Sequence, residues 1–118
     1  MFLTLNHQKM DLYTISKFFV FECYKITKSF PIEEKLGMIS QIRRAALSVH
    51  LNISEGASRK PDQERKRYYE IARGSVIEID AALDLAKELE YLNNLELNKL
   101  GDSMVRSFKI LTSLIDRK

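Results

Sequence analysis

The chain has 118 residues, 45% hydrophobic and 30% charged, which suits one domain with a real core and excludes a disordered tail or a collagen-like repeat. Four glycines and two prolines are too few for an all-β sandwich or a Rossmann-type fold, so long helices are expected. Nineteen Lys and Arg against sixteen Asp and Glu leave +3 at pH 7, which does not by itself establish nucleic-acid binding. The charge is nonetheless polarised. Residues 43–73 hold eight basic side chains and four acidic ones, whereas 74–98 hold six acids and one Lys. Such a chain can attract an anionic partner at one end or stack on its own copies. Cys23 is the single cysteine, so no internal disulfide can form. There is no apolar run near the ~18 residues of a membrane span and no signal-peptide layout, and a cytoplasmic, reducing setting is expected.

In chain order, the first predicted helix covers about 9–29, with Met10, Tyr13, Phe18, Phe21 and the Tyr24 region as its apolar side. It is apolar over more than one face, which predicts burial on two sides. Pro31 ends it and suits the first turn of a second helix over about 32–57, with Glu33 and Glu34 near its N-terminus, where acids are favourable. Ile39, Ile42, Ala46, Val49 and Ile53 recur there at spacings of three and four, an apolar seam. Gln41, Arg44, Ser48, Asn52 and Glu55 form a polar stripe of the same period, roughly 100° round the helix. Ser and Asn are mediocre helix formers, so their regular spacing predicts contact with another helix, in this chain or in another subunit.

Gly56 to Lys60 reads as the next turn, and Pro61, Asp62 and Glu64 open a third helix running to about 92. Its core face is Tyr69, Ala72, Val76, Ile79, Leu83 and Ala86, beside a face of Ile71, Gly74, Ser75, Glu78 and Ala82. Gly74 in mid-helix costs about 1 kcal/mol against Ala, which predicts a close backbone approach there. Asn93-Asn94 turns the chain into a fourth helix over about 96–117, with Leu97, Leu100, Met104, Phe108, Leu111 and Ile115 inward. Short loops between four such helices predict an all-α, antiparallel up-down-up-down four-helix bundle in a single domain, 1–118.

Catalytic chemistry is sparse. His7 and His50 have no partner at metal-ligand spacing, and no Glu-x-x-His pair, phosphate-cradling glycine loop or G-x-S-x-G elbow occurs. Cys23 lies among Phe19, Val20 and Tyr24 and reads as a small core residue. The Asn52-Ile53-Ser54 sequon falls within a predicted helix and is discounted. Neither an enzyme nor a cofactor is expected. The basic residues offer more: Arg59, Lys60, Arg65, Lys66 and Arg67 cluster at the turn between the second and third helices, followed by Tyr68 and Tyr69. Such a loop can grip phosphates while a tyrosine stacks on a base; the alternative is a solvated turn whose tyrosines point into the bundle. Of Arg43 and Arg44, one is expected in the stripe, paired with Glu55 or Glu78, and the other in solvent.

The run Gln41-Ile42-Arg43-Arg44-Ala45-Ala46-Leu47-Ser48, followed by Asn52-Ile53-Ser54-Glu55-Gly56, resembles the signature of the four-helix-bundle proteins encoded in 23S rRNA intervening sequences. Tyr24-Lys25-Ile26-Thr27-Lys28 with Phe30-Pro31, Ile71-Ala72-Arg73-Gly74-Ser75 with Glu78, and Leu85-Ala86 with Tyr91-Leu92 extend the resemblance from about Lys9 to the C-terminus. His50 stands where that family usually has Pro, and Ser54 where Ala is usual. The resemblance implies an antiparallel bundle assembling as a homopentamer, similar in fold to the accessory variability protein of diversity-generating retroelements, which works with a reverse transcriptase and RNA. It implies a subunit-contact or channel-lining use for Gln41, Arg44, Ser48, Asn52 and Glu55, together with Gly74, Ser75 and Glu78.

The expected function is therefore a non-enzymatic, homo-oligomeric scaffold that binds structured RNA or an RNA-associated, reverse-transcriptase-like protein through basic surface. The nucleic-acid contact is assigned to Arg59, Lys60, Arg65, Lys66 and Arg67. No membrane association or small-molecule substrate is expected. The alternative is a self-assembly or protein-interaction module without nucleic acid; a nuclease using Glu55, Glu78 and Asp80 to hold a metal is a third reading.

Overall fold

Proline, glycine and one left-handed turn set the helix boundaries. The computed structural model describes residues 1–118, with four helices: α1, Asp11–Thr27; α2, Met38–Ala57; α3, Asp62–Glu88; and α4, Asn98–Asp116. Short 3-10 turns occupy Asn6–Lys9 and Ile32–Glu34. The second helix thus begins at Met38 rather than near 32. Gly37, at φ −104° and ψ −108°, interrupts the helical path, and the Met38 amide donates to the Glu34 carboxylate at 3.2 Å, satisfying one of the free amides of the new N-terminus. Pro61 precedes α3 as expected, with Asp62 and Glu64 in the first turn.

The third helix stops at Glu88, short of 92. Glu90 takes a left-handed φ of 64°, the Tyr91 amide donates to the Ala86 carbonyl at 2.9 Å, and the Glu90 amide donates to Lys87 at 3.0 Å. These are the two bonds of a Schellman motif, closed here without the usual glycine.

Consecutive helices pack on one another and α4 returns to α1, while the diagonal pairs do not meet. The cross-links run in opposite senses along each pair. Ser16 and Thr27 of α1 meet His50 and Arg43 of α2. Gln41 and Ser48 of α2 meet Glu78 and Ser75 of α3. Lys66 and Arg73 of α3 meet Arg117, just past the end of α4, and Thr112 within it. Each such ladder descends one helix as it climbs the other, so the bundle is antiparallel and up-down.

The core joins Leu12, Phe19, Cys23 and Ile26 of α1 to the expected seams of α2 and α3 and to Leu100, Met104 and Leu111 of α4. Two expectations need correction. In α1 the buried side is Leu12, Ile15, Phe19, Cys23 and Ile26, while Phe18 and Phe21 face outward at 42% and 61% exposure; the helix is buried on one side, not two. In α4, Phe108 is partly exposed and Ser107 turns inward instead, its hydroxyl without a partner.

Candidate functional site

The basic turn between α2 and α3 is shaped by Gly56. A Cβ there would lie 2.9 Å from Tyr68 Cβ, 3.0 Å from the Tyr69 ring and 3.2 Å from the Arg65 carbonyl. The glycine therefore lets the start of α3 close onto the end of α2. Gly74, the position expected to need close approach, has nothing within 4 Å of such a Cβ inside the chain.

The five basic residues of this turn divide into tethered and free. Arg59 pairs with Glu55 at 3.2 Å, donates to the Tyr68 hydroxyl at 3.2 Å and lies over that ring, 5.3 Å from its centroid. Arg65 pairs with Asp62 and donates to the Arg59 carbonyl at 3.2 Å. Lys66 donates to the Arg117 carbonyl. Lys60 and Arg67 are exposed and make no ion pair or hydrogen bond within the chain. Tyr69 is buried in the core and burial raises its phenol pKa, so it cannot stack on a base; Tyr68 is half-covered by Arg59. Two cations that sequence spacing did not associate with the turn arrive from the other end of the chain. Arg117 and Lys118 line a hollow of about 290 Å³ with Asp62, Arg65 and Lys66, because antiparallel packing returns the end of α4 to the start of α3.

The polar stripe of α2 splits. Gln41 donates to Glu78, and Ser75 and Ser48 hydroxyls bond at 3.0 Å across the α2–α3 seam. Asn52 donates to the Ser48 carbonyl and hydroxyl at 2.8 and 3.0 Å. Gln41 and Ser48 thus meet a helix of their own chain, whereas Asn52 bonds only within α2 and lies with Ser48 along its outer groove. Glu55 is taken by Arg59, and Arg44 is exposed with no partner, so the expected pairing of Arg43 or Arg44 with Glu55 or Glu78 does not form. Arg43 does not reach solvent freely either. It packs 4.9 Å from the Tyr24 ring and donates to Thr27 Oγ1 at 2.9 Å and the Tyr24 carbonyl at 3.3 Å.

Beyond Arg44 the outer face of α2 opens into a shallow groove of about 780 Å³, lined by Tyr24, Lys35, Leu36, Arg43, Leu47 and Leu51 among others, with no carboxylate. Arg44, Ser48 and Asn52 of the polar stripe lie along it; sequence reading missed its apolar part because Leu47 and Leu51 fall outside the seam and Leu36 lies in a loop.

The signature residues thus lie together along α2 and its seam with α3, and the sequence profile of the 23S rRNA-intervening sequence proteins matches residues 8–113. The chain belongs to this family. A search of curated proteins found no match. Between the two signature runs of α2, His50 is bound into the α1–α2 seam. Its Nδ1 shares a 2.8 Å hydrogen bond with Ser16 Oγ and its ring lies 4.6 Å from that of Tyr13. Burial, with Lys17 and His7 nearby, lowers its pKa.

Cys23 is fully buried, and burial pushes its thiol up to about 12, which fits its reading as a core residue. No three His, Cys, Asp or Glu side chains converge on a metal-sized site. Glu55, Glu78 and Asp80 are drawn apart: the first to Arg59, the second to Gln41, the third to the α3–α4 groove. No helix is long and apolar enough to cross a membrane.

Proposed function

We propose that the chain is a non-enzymatic, cytoplasmic scaffold that assembles as a homopentamer and binds structured RNA through the basic end of its bundle. The observation that carries this reading is the meeting of Arg65 and Lys66 with Arg117 and Lys118 at one end of a family bundle, beside the exposed Lys60 and Arg67 of the same turn. Cations gathered at a solvent-facing turn neutralise phosphates with little regard to base sequence. Repeating the cluster once per subunit raises affinity through effective concentration. An RNA-associated protein such as a reverse transcriptase can then be recruited through the bound RNA. The carboxylate-free, leucine-bearing groove on α2 favours the assembly half of this reading, and a protein-only scaffold is what would remain without RNA contact.

The test is binding of structured RNA at rising salt, comparing the native chain with a Lys60→Glu, Lys66→Glu, Arg67→Glu variant that still assembles. Arg59 and Arg65 are left intact because they tie the turn together. Affinity should fall steeply with salt and at least tenfold in the variant. Equal affinity at low salt would take RNA out of the function.

A further inference from the structure

Two exposed faces have no partner inside the bundle, and their chemistries are opposite. On α2, Leu47 and Leu51 project outward beside Leu36, which is 90% exposed. Lys35, Arg43 and Arg44 border them, and no acid lies among them. On α3, Ile77, Ala81, Leu85 and the following Leu89 recur at four-residue intervals and are all exposed, with Ile77 at 54%. Asp80, Asp84 and Glu88 run alongside, and none of the three forms an ion pair within the chain. One face is a leucine groove with a basic border; the other is an aliphatic ridge with an acidic one.

We propose that the acidic ridge of α3 in one copy docks into the basic groove of α2 in the next. This rests on the self-assembly reading above and names its interface. Apolar side chains at i and i+4 on both helices are the rows that interdigitate when helices cross at about 50°. Arg44 and Lys35 then meet Asp80, Asp84 and Glu88, and charges left unpaired within each protomer are paired between protomers. The contact is head-to-tail because groove and ridge are different surfaces. A contact of this kind repeats from copy to copy and makes a ring when its rotation closes. Gly74, open on this same side of α3, gives the incoming helix room. The Lys60–Arg67 turn is left outside the contact and repeats around the ring.

The experiment is sedimentation velocity of the full chain at micromolar concentration, with helicity checked by circular dichroism. Arg44→Glu alone, and Asp84→Lys with Glu88→Lys, should each weaken association at least tenfold while leaving helicity unchanged. Joining all three substitutions in one chain should restore association, because acid again faces base. Lys99→Glu, in the α1–α4 groove away from both faces, should leave it intact. A native chain that stays monomeric overturns self-assembly and this interface together. A native oligomer that survives both face variants, or dissociates only with Lys99→Glu, overturns the α2–α3 docking while self-assembly stands.

Discussion

The two sides of α2 that flank its buried seam meet different fates. Toward α3, Gln41 and Ser48 find hydrogen-bond partners, and Gly56 closes the seam. On the outer side Arg44, Leu47 and Leu51 find none within the chain. Helical spacing correctly groups residues onto a side, yet it does not say whether that side meets its own chain. A polar stripe can be internal mortar while the leucines beside it stay exposed.

The sharpest way to break this contrast uses two residues of α2 only two positions apart. Ile53 is fully buried and Leu51 is 56% exposed. Ile53→Ala should cost about 2–5 kcal/mol in chemical denaturation, and Leu51→Ala within about 0.5 kcal/mol of protomer stability. Similar losses at both would mean that the outer face is packed in the protomer.

The glycines allow a second comparison. Gly56→Ala drives a methyl into Tyr68, Tyr69 and the Arg65 carbonyl, and should lower stability by about 1–3 kcal/mol. Gly74→Ala meets nothing within the chain and should raise helix stability by up to about 1 kcal/mol. A destabilising Gly74→Ala that also dissociates the assembly would place a second copy against that site.

On the α1 side of the same helix, pH sharpens the contrast further. His50 is held neutral against Ser16 and Tyr13, with Lys17 and His7 close by, and its folded pKa is lowered. An unfolded histidine titrates near about 6.5, so below that pH the unfolded chain binds a proton that the folded chain resists. Stability should be full above that value and decline as pH falls toward the lowered folded pKa. Thermal melts between mildly alkaline and mildly acidic buffer should display the decline, and His50→Gln should flatten it.

The smallest effect belongs to the Ser48–Ser75 bond. A double-mutant cycle with alanine at each should give a coupling of about 0.5–1.5 kcal/mol. No coupling would return Ser48 to the outer side of the comparison.

Composition and periodicity were enough for the four helices, for the seams of α2 and α3 and for the family signature. These depend on short-range rules: apolar spacing near 3.6 residues, prolines at helix starts and too few turn residues for a sheet. The face of α1 was not legible in this way. Apolar side chains ring that helix, so periodicity had no contrast with which to choose Phe19 and Cys23 over Phe18 and Phe21. The helix end at Glu88 was hidden too, because its left-handed turn falls on Glu90, a residue without glycine's conformational signal.

The basic turn shows where local information stops. Its five cations can be counted along the chain, but their availability depends on how the turn folds on itself and on what the far end of the chain brings to it. Arg59 and Arg65 are tied back into the turn, while Arg117 and Lys118 join it across the bundle. Local sequence dictates which residues are helical and which are charged, since backbone propensity and ionisation act within a few bonds. Which charges remain free, which leucines remain uncovered and which glycine must stay small arise from packing, because each depends on atoms that only folding brings within a few ångströms.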